Sequence, residues 1–272
     1  MAAVPEGYAL TPYCGAPPSP TTLLTRWNLD PVLIVALLVI LAAYVIARRA
    51  RPSGTADWRA PCFYTGWLIG ALAVTSPLCP LSVALFSARV GQHMLLTSVV
   101  APLIVLGCGD LRPRGEIVRP LGDWMGGRVT PAALVFMIAL WIWQAPGPYM
   151  ATFTSDVAYW AMHLSVFGAA GWLWAGLLDL EGRHPMASLA AALLTTVQMG
   201  FLGAVITFAP QPLYAAHALT AGLWGMTTLQ DQQLGGAIMW IPAGAILVGA
   251  IVLSLGQAIR RSEGQAWTPK AG

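Results

Sequence analysis

Charged residues are scarce in this chain. Only 9% of its 272 residues are Asp, Glu, Lys or Arg, whereas 57% are hydrophobic. Water-soluble domains carry roughly a quarter charged residues, so this composition excludes a water-soluble core. Acidic residues are fewer than basic ones, 11 against 14, and they are nearly absent from the apolar stretches. Proton-driven transporters usually need an acid within the membrane, so the sequence disfavours that class.

Motifs that would indicate an enzyme are also missing. The sequence contains no phosphate-binding glycine loop, no nucleophile elbow, no Ser–His–Asp order and no pair of intramembrane carboxylates. We therefore expect a protein that is not an enzyme.

Seven long apolar stretches dominate the chain. A helix needs about 20 mostly apolar residues to cross a bilayer, and the apolar residues here run continuously instead of alternating as in the strands of a membrane barrel. The sequence therefore predicts an all-α fold, a polytopic membrane helical bundle with seven transmembrane helices. The predicted spans are 31–47, 60–80, 85–107, 129–146, 158–178, 188–208 and 233–259.

The basic residues indicate which side each loop faces. Twelve of the 14 follow the first, third, fifth and seventh spans, and only Arg26 and Arg89 lie near the other side. By the positive-inside rule the N-terminus is outside a bacterial plasma (inner) membrane and the C-terminus is cytoplasmic. We expect an extracytoplasmic tail over residues 1–28, a membrane domain over 29–260 and a cytoplasmic tail over 261–272. The net charge of +3 then reflects contact with anionic lipid, not nucleic-acid binding.

Residues 1–28 do not resemble a signal peptide, because they lack a basic start and an apolar core.

The four cysteines show no Cys-x-x-Cys spacing. Cys62 and Cys108 lie at the predicted cytoplasmic ends of spans and should stay reduced. Cys14 and Cys79 lie on the predicted outer side. The sequence leaves three alternatives for them, which are a disulfide, free thiols and a thiolate metal site.

Three of the four histidines fall near the predicted outer face, whereas His184 lies in a predicted cytoplasmic turn, where we expect it to be solvated. His93 and His163 lie within spans three and five, roughly 8–12 Å below the surface at ~1.5 Å per residue, and His217 lies in the loop above them. A polar group within a bilayer is costly, so we interpret these residues as candidates for function, although a histidine bonded to a neighbouring helix is common. Imidazole and thioether ligands suit Cu(I). The predicted copper site comprises His93, His163 and His217, with Met94 and Met162 as further candidates.

Arg89 is one of the two basic residues near the outer side, and it shares a helix face with His93 at the i, i+4 spacing. A buried arginine favours a carboxylate partner, and Asp156 and Asp231 are the acids available on the outer side. We predict that it pairs with Asp231, which would hold the seventh span against the third.

Ordered segments along the chain carry a family resemblance. They are QHMLL at 92–96 with APL at 101–103, MHLS at 162–165, FLGA at 201–204 with PLY at 212–214, and DQQLGG at 231–236 followed by Met239 and Trp240. Together they resemble the CtaG family of multi-span cytochrome c oxidase assembly factors, over roughly residues 27–260.

The resemblance implies a seven-span plasma-membrane protein that is needed to mature haem–copper oxidase and that handles copper for it. The implied partners are cytochrome c oxidase subunits, periplasmic copper chaperones and the lipid bilayer. His93, His163, Gln92, Asp231 and Gln232 match polar positions of the family. Many members have a histidine where this chain has Arg89, so the resemblance moves the expected site to one that bridges His93, His163 and His217.

Two alternative functions remain open from the sequence. A copper or small-solute transporter would need a polar path through the inner half, for which Thr195, Thr196 and Gln198 are the candidates. A haem-binding electron carrier would use His93 and His163 as axial ligands. In each case the loop over residues 209–232, which contains no Lys or Arg, is expected to cover the bundle, and part of it could form a short interfacial helix.

Overall fold

Helices make up most of the part of the chain that the structure describes, which is residues 12–50, 58–109, 128–178 and 185–266 of a computed structural model. Within these ranges there is no β-strand. The helices are α1 Pro31–Arg49, α2 Arg59–Thr75, α3 Leu78–Ala84, α4 Phe86–Leu95, α5 Ala101–Cys108, α6 Val129–Gln144, α7 Pro146–Ala151, α8 Asp156–Leu177, α9 Pro185–Thr207 and α10 Thr228–Ala266.

The all-helical fold is confirmed, and helix occupies each of the seven predicted spans. Among the described residues, three helical segments are long and apolar enough to cross a membrane alone, and α2 with α3 makes a fourth if the bent pair is one span. The three are Pro31–Arg49, Phe86–Cys108 and Met186–Thr207. Residues 1–11 of the predicted outer tail and 267–272 of the predicted cytoplasmic tail lie outside the described ranges, as does His184.

The predicted second span is interrupted. The prediction of one helix over 60–80 is wrong, because α2 ends at Thr75, α3 begins at Leu78, and the two are bent by 48°. Pro77 explains the break. A proline disfavours helical geometry in the residue before it, and Ser76 accordingly has an extended backbone with ψ of 174°.

The predicted third span is one segment with a wider turn at its centre. Residues Leu96–Val100 form a π-helical turn between α4 and α5, and the Ala101 N–H donates to the Leu96 carbonyl. The next carbonyl, that of Thr97, would then need a donor from Pro102, which has no N–H. The indole of Trp174 on α8 donates to it instead, at 2.8 Å. The π-turn therefore joins this segment to α8 just below His93.

Close helix contacts hold the bundle together. At Gly107 on α5, an added Cβ would lie 2.6 Å from the backbone nitrogen of Phe63 on α2. At Gly236 on α10, it would lie 2.8 Å from the carbonyl oxygen of Gly203 on α9. Only glycine permits such approaches, and small residues are the usual means by which membrane helices pack.

The segment between α9 and α10 covers one end of the bundle. Instead of the expected single interfacial helix it contains two short 3₁₀ turns, Ala215–His217 and Ala221–Trp224. The Tyr214 hydroxyl donates to the Gln144 carbonyl at 2.9 Å, and the Thr220 hydroxyl donates to the Ala84 carbonyl at 2.6 Å. We call residues 209–227 the cover segment.

Candidate functional site

Two histidines meet inside the bundle at the end that the cover segment closes. His93 on α4 and His163 on α8 have ring centroids 5.2 Å apart, with the ring planes at 75°. His163 is buried, and His93 is partly buried. The Nε2 atoms of both rings are buried and have no hydrogen-bond partner among the described residues. The predicted proximity of these two histidines is therefore present in the fold.

The backbone of α8 determines which nitrogen of His163 is available. Its Nδ1 lies 3.0 Å from the carbonyl oxygen of Tyr159, one turn earlier. A carbonyl can only accept, so this contact assigns the proton to Nδ1 and leaves a lone pair on Nε2 of the neutral ring. The ring of Tyr159 also lies against His163, with centroids 4.2 Å apart. His163 thus presents a fixed, unshared nitrogen toward the side of His93.

Arg89 lies one turn from His93 on α4 and is almost fully buried. One of its Nη atoms donates to the Thr152 hydroxyl oxygen and lies 3.7 Å from the Met162 sulfur. Its guanidinium carbon lies over the rings of Tyr149 and Phe153, at 4.8 and 4.5 Å from their centroids. All of these partners are neutral. The predicted ion pair with Asp231 is wrong.

Asp231 instead binds backbone N–H groups at the start of α4. Its carboxylate accepts from the N–H of Phe86 at 2.7 Å, the N–H of Ser87 at 3.0 Å and the hydroxyl of Ser87 at 2.5 Å. The first N–H groups of a helix lack intrahelical partners and carry partial positive charge, which a carboxylate satisfies directly. The predicted contact between the third and seventh spans exists, but through Phe86 and Ser87 at the start of α4 and not through Arg89.

His217 is held apart from the other two histidines. Its Nε2 lies 2.6 Å from the Tyr149 hydroxyl, and its ring lies among those of Phe86, Tyr149 and Phe153. Its Nδ1 is buried with no hydrogen-bond partner in the described part of the chain. Burial lowers the pKa of His217 to about 3, with the charge of Arg89 a further cause. His217 is thus a neutral, fully enclosed side chain.

Across the described residues, no group of three or more His, Cys, Asp or Glu side chains is placed to hold one metal ion. The structure therefore brings together His93 and His163 but not the third predicted ligand. Neither predicted thioether adds to the pair. The sulfur of Met162 faces Arg89, and Met94 is buried in the main apolar core.

The comparison with known families gives a specific match. Residues 38–261 match the model of the cytochrome c oxidase caa3 assembly factor family, Caa3_CtaG. The chain belongs to this family. The match covers most of the chain and confirms the resemblance carried by the sequence motifs, and with the apolar helices it supports a membrane protein.

Two curated relatives of this Caa3_CtaG chain are uncharacterized proteins of Mycobacterium bovis and Mycobacterium tuberculosis. Each is 25% identical in an alignment of 253 positions that covers 82% of this chain and 38% of the relative. The chain thus spans less than half the length of the relatives it matches. No solved structure matches this chain.

The other family-like polar residues have structural contacts. Gln232 accepts from the Leu213 N–H at 2.6 Å and donates to the Ile206 carbonyl at 3.1 Å, which ties the cover segment to α9 and α10. Gln92 donates to the Ala73 carbonyl at 2.6 Å, and its Oε1 is buried without a hydrogen-bond partner in the described part of the chain.

Cys14 and Cys79 form a disulfide, which resolves the alternatives left open by the sequence. The Cys14 sulfur also lies 3.4 Å from the Tyr159 hydroxyl, next to the histidine pair. Cys62 and Cys108 are free. The sequence did not indicate Tyr149, Thr152 or Tyr159, because their roles depend on contacts between distant segments.

Proposed function

We propose that the protein is a non-catalytic assembly factor for haem–copper cytochrome c oxidase, and that it holds Cu(I) between His93 and His163 for delivery. The recipients are a cytochrome c oxidase subunit or a periplasmic copper chaperone. In this proposal copper is the cargo. His217 is a structural residue and not a ligand.

The proposal rests on one observation. The imidazoles of His93 and His163 are neighbours, and their Nε2 atoms are both buried without hydrogen-bond partners among the described residues. A buried polar atom normally has a hydrogen-bond partner, so two unmatched nitrogens together favour a ligand. Neutral imidazole nitrogens are suitable donors for Cu(I). The Tyr159 carbonyl fixes the tautomer of His163 through its second nitrogen, as is usual for a metal-binding histidine.

The proposed topology has seven spans, with the N-terminus outside and the C-terminus in the cytoplasm. The distribution of Lys and Arg supports this orientation. The disulfide supports it independently, because disulfides persist in oxidising compartments such as the periplasm. In this orientation the histidine pair lies in the outer half, beneath the cover segment.

The transporter alternative loses support at the inner half of α9. The hydroxyls of Thr195 and Thr196 donate to carbonyls of their own helix, at 2.8 and 2.9 Å. The side-chain oxygen of Gln198 accepts from the Trp141 indole at 3.2 Å. The two hydroxyls and the Gln198 oxygen are used within or between helices, and the Gln198 Nε2 is the one polar atom of the three side chains that is buried without a partner among the described residues. The haem alternative is disfavoured because the rings of His93 and His163 meet edge to face, which leaves no room for a porphyrin between them.

The copper content of purified protein, loaded with Cu(I) under reducing conditions, tests the proposal. We expect near-stoichiometric copper in the wild type and none in the double variant His93→Ala, His163→Ala. The same double variant should insert normally but fail to restore oxidase activity to cells that lack the wild-type protein.

A His217→Gln variant is the matched control, since His217 is also a buried histidine but is bonded to Tyr149. It should retain copper. If wild type and double variant contain the same amount of copper, the histidine pair is not a copper site, and a scaffolding role in oxidase assembly replaces delivery.

A further inference from the structure

Two hydrogen-bond donors are directed at the disulfide between Cys14 and Cys79. The hydroxyl of Tyr159 on α8 lies 3.4 Å from the Cys14 sulfur and 3.8 Å from the Cys79 sulfur. Neither sulfur carries a proton in the disulfide, so the hydroxyl is the donor in both contacts. The side-chain amide of Asn28 donates to the Cys79 sulfur at 3.5 Å. The Cys79 sulfur is therefore within reach of both donors, and the Cys14 sulfur of one.

The sulfurs of a disulfide are weak hydrogen-bond acceptors. Tyr159 is nevertheless buried, and within the described ranges its hydroxyl has no hydrogen-bond partner other than these two sulfurs. A thiolate would be a far better acceptor, because a hydrogen bond to a charged atom is roughly twice as strong as one between neutral groups. The surroundings of Cys79 thus suit a thiolate better than the disulfide that they hold.

The two sulfurs differ in their access to solvent. The Cys79 side chain is fully enclosed at the start of α3, whereas Cys14 is 8% exposed. Cys14 also precedes the exposed residues 15–17, and a Cβ added at Gly15 would meet no atom within 4 Å. In thiol–disulfide exchange one sulfur is attacked and the other leaves as a thiolate, which departs faster when it is stabilised. Access therefore assigns the attack to Cys14, and the two donors assign the departure to Cys79.

We propose that this disulfide is an exchange site at which the protein oxidises a dithiol. A thiolate of the dithiol attacks the Cys14 sulfur, and the electron pair of the broken S–S bond goes to Cys79. Asn28 and Tyr159 hold the Cys79 thiolate. The second thiolate of the partner then attacks its own sulfur in the mixed disulfide and releases Cys14. The partner becomes a disulfide, and its two electrons and two protons are taken up by the two cysteines. This activity is separate from copper delivery and does not rest on it.

A dithiol fits this site better than a single thiol. After the first step the Cys79 thiolate remains beside Cys14, where its attack on the mixed disulfide restores the original bond and expels the incoming thiol. A second thiol on the partner competes with this return and completes the exchange.

The rate at which dithiothreitol reduces the purified, copper-free protein in detergent tests the proposal. Acid precipitation stops the reaction. Maleimide-polyethylene glycol in neutral SDS then labels two cysteines of the oxidised chain, Cys62 and Cys108, and four of the reduced chain. We expect Tyr159→Phe to slow reduction about three- to tenfold, because it removes the hydroxyl donor and keeps the ring. A loosened fold would speed reduction, so a slower rate is not an effect of destabilisation.

Two further variants make the result specific. Tyr13→Phe is the matched control, because the Tyr13 hydroxyl donates to Asp30 and its ring stacks on that of Tyr159. It should be reduced at least as fast as the wild type. Asn28→Asp replaces the amide donor with a carboxylate beside the Cys79 sulfur and should slow reduction more than Tyr159→Phe does. The proposal is overturned if neither Tyr159→Phe nor Asn28→Asp is slower than the wild type, or if the wild type stays oxidised until it unfolds.

Glutathione in place of dithiothreitol identifies the attacked sulfur. Iodoacetamide added in denaturant blocks the released thiolate before it returns, and mass spectrometry locates the glutathione. We expect glutathione on Cys14 and the alkyl group on Cys79. Glutathione on Cys79 instead would overturn the assigned direction of exchange.

Discussion

His217 is held in its neutral form by the residues around it. Its folded pKa of about 3 lies below the ordinary value of ~6.5 for histidine, because the ring is buried and close to Arg89. Between these two values the unfolded chain binds a proton that the folded protein does not. The stability is therefore complete above about pH 6.5 and decreases as the pH falls toward 3.

We predict that the His217→Gln variant loses part of this acid sensitivity. Between pH 7 and 5, His217 should account for a loss of up to about 2 kcal/mol in the wild type, at about 1.4 kcal/mol per pH unit below 6.5. Thermal unfolding in detergent at several pH values measures the difference. A His184→Gln control should keep the slope of the wild type, because His184 is predicted to lie in a solvated turn. Equal slopes in wild type and His217→Gln would contradict the prediction.

At the level of single residues, the sequence predicts where a side chain lies in the bundle better than which groups it contacts. The positions of His93 and His163 within their spans predict that the two residues lie at similar depth, because a helix converts sequence distance into depth, and the fold shows that their rings also face each other. The partner of Asp231 was not predictable in the same way. Its donors are the N–H groups of Phe86 and Ser87, and every residue except proline has such a group. Only the fold reveals which of them lacks a partner.

At the level of elements, Asp231 joins two helix starts. It lies in the first turn of α10 and binds the first turn of α4. The cost of losing this carboxylate is high, because the two N–H groups of α4 are buried with it and would be left without a full acceptor.

We predict that Asp231→Asn destabilises the protein by about 1–3 kcal/mol, since the amide has one acceptor oxygen and turns an N–H₂ group toward other donors. Detergent-solubilised protein unfolded by heat or denaturant gives the measurement. Asp156→Asn is the matched control, because Asp156 lies in the first turn of α8 but is exposed. Its change should be at most about 1 kcal/mol. Equal effects of the two substitutions would refute the capping role.

The helices were predictable from apolar runs, but their interruptions were not. Pro77 lies inside an apolar stretch that continues to Pro80, and hydropathy gives no signal where the chain bends. The π-helical turn before Pro102 is a similar case. Prolines are tolerated within membrane helices when neighbours satisfy the freed carbonyls. Whether such a neighbour exists, as Trp174 does here, depends on packing.

At the level of the whole molecule, the cover segment closes the end of the bundle that contains the histidine pair. If copper leaves by this route, the segment must move, and its bond from Thr220 to the Ala84 carbonyl must break. We predict that a disulfide between cysteines at these two positions impairs oxidase maturation while leaving membrane insertion unchanged. Oxidase activity of membranes is the readout, with Thr220→Cys alone as the control. Normal maturation in the locked protein would exclude this exit route.

The bond between Cys14 and Cys79 also limits how the chain can be inserted into a membrane. The two cysteines are 65 positions apart, and both α1 and α2 lie between them. Two thiols can join only if they end on the same side of the bilayer, so the number of crossings between them must be even. A chain in which α1 crosses and α2 stays behind would hold its cysteines on opposite sides. In the proposed topology, a chain inserted with only one of these two helices across the bilayer therefore cannot form the disulfide, and its Cys14 and Cys79 remain free thiols.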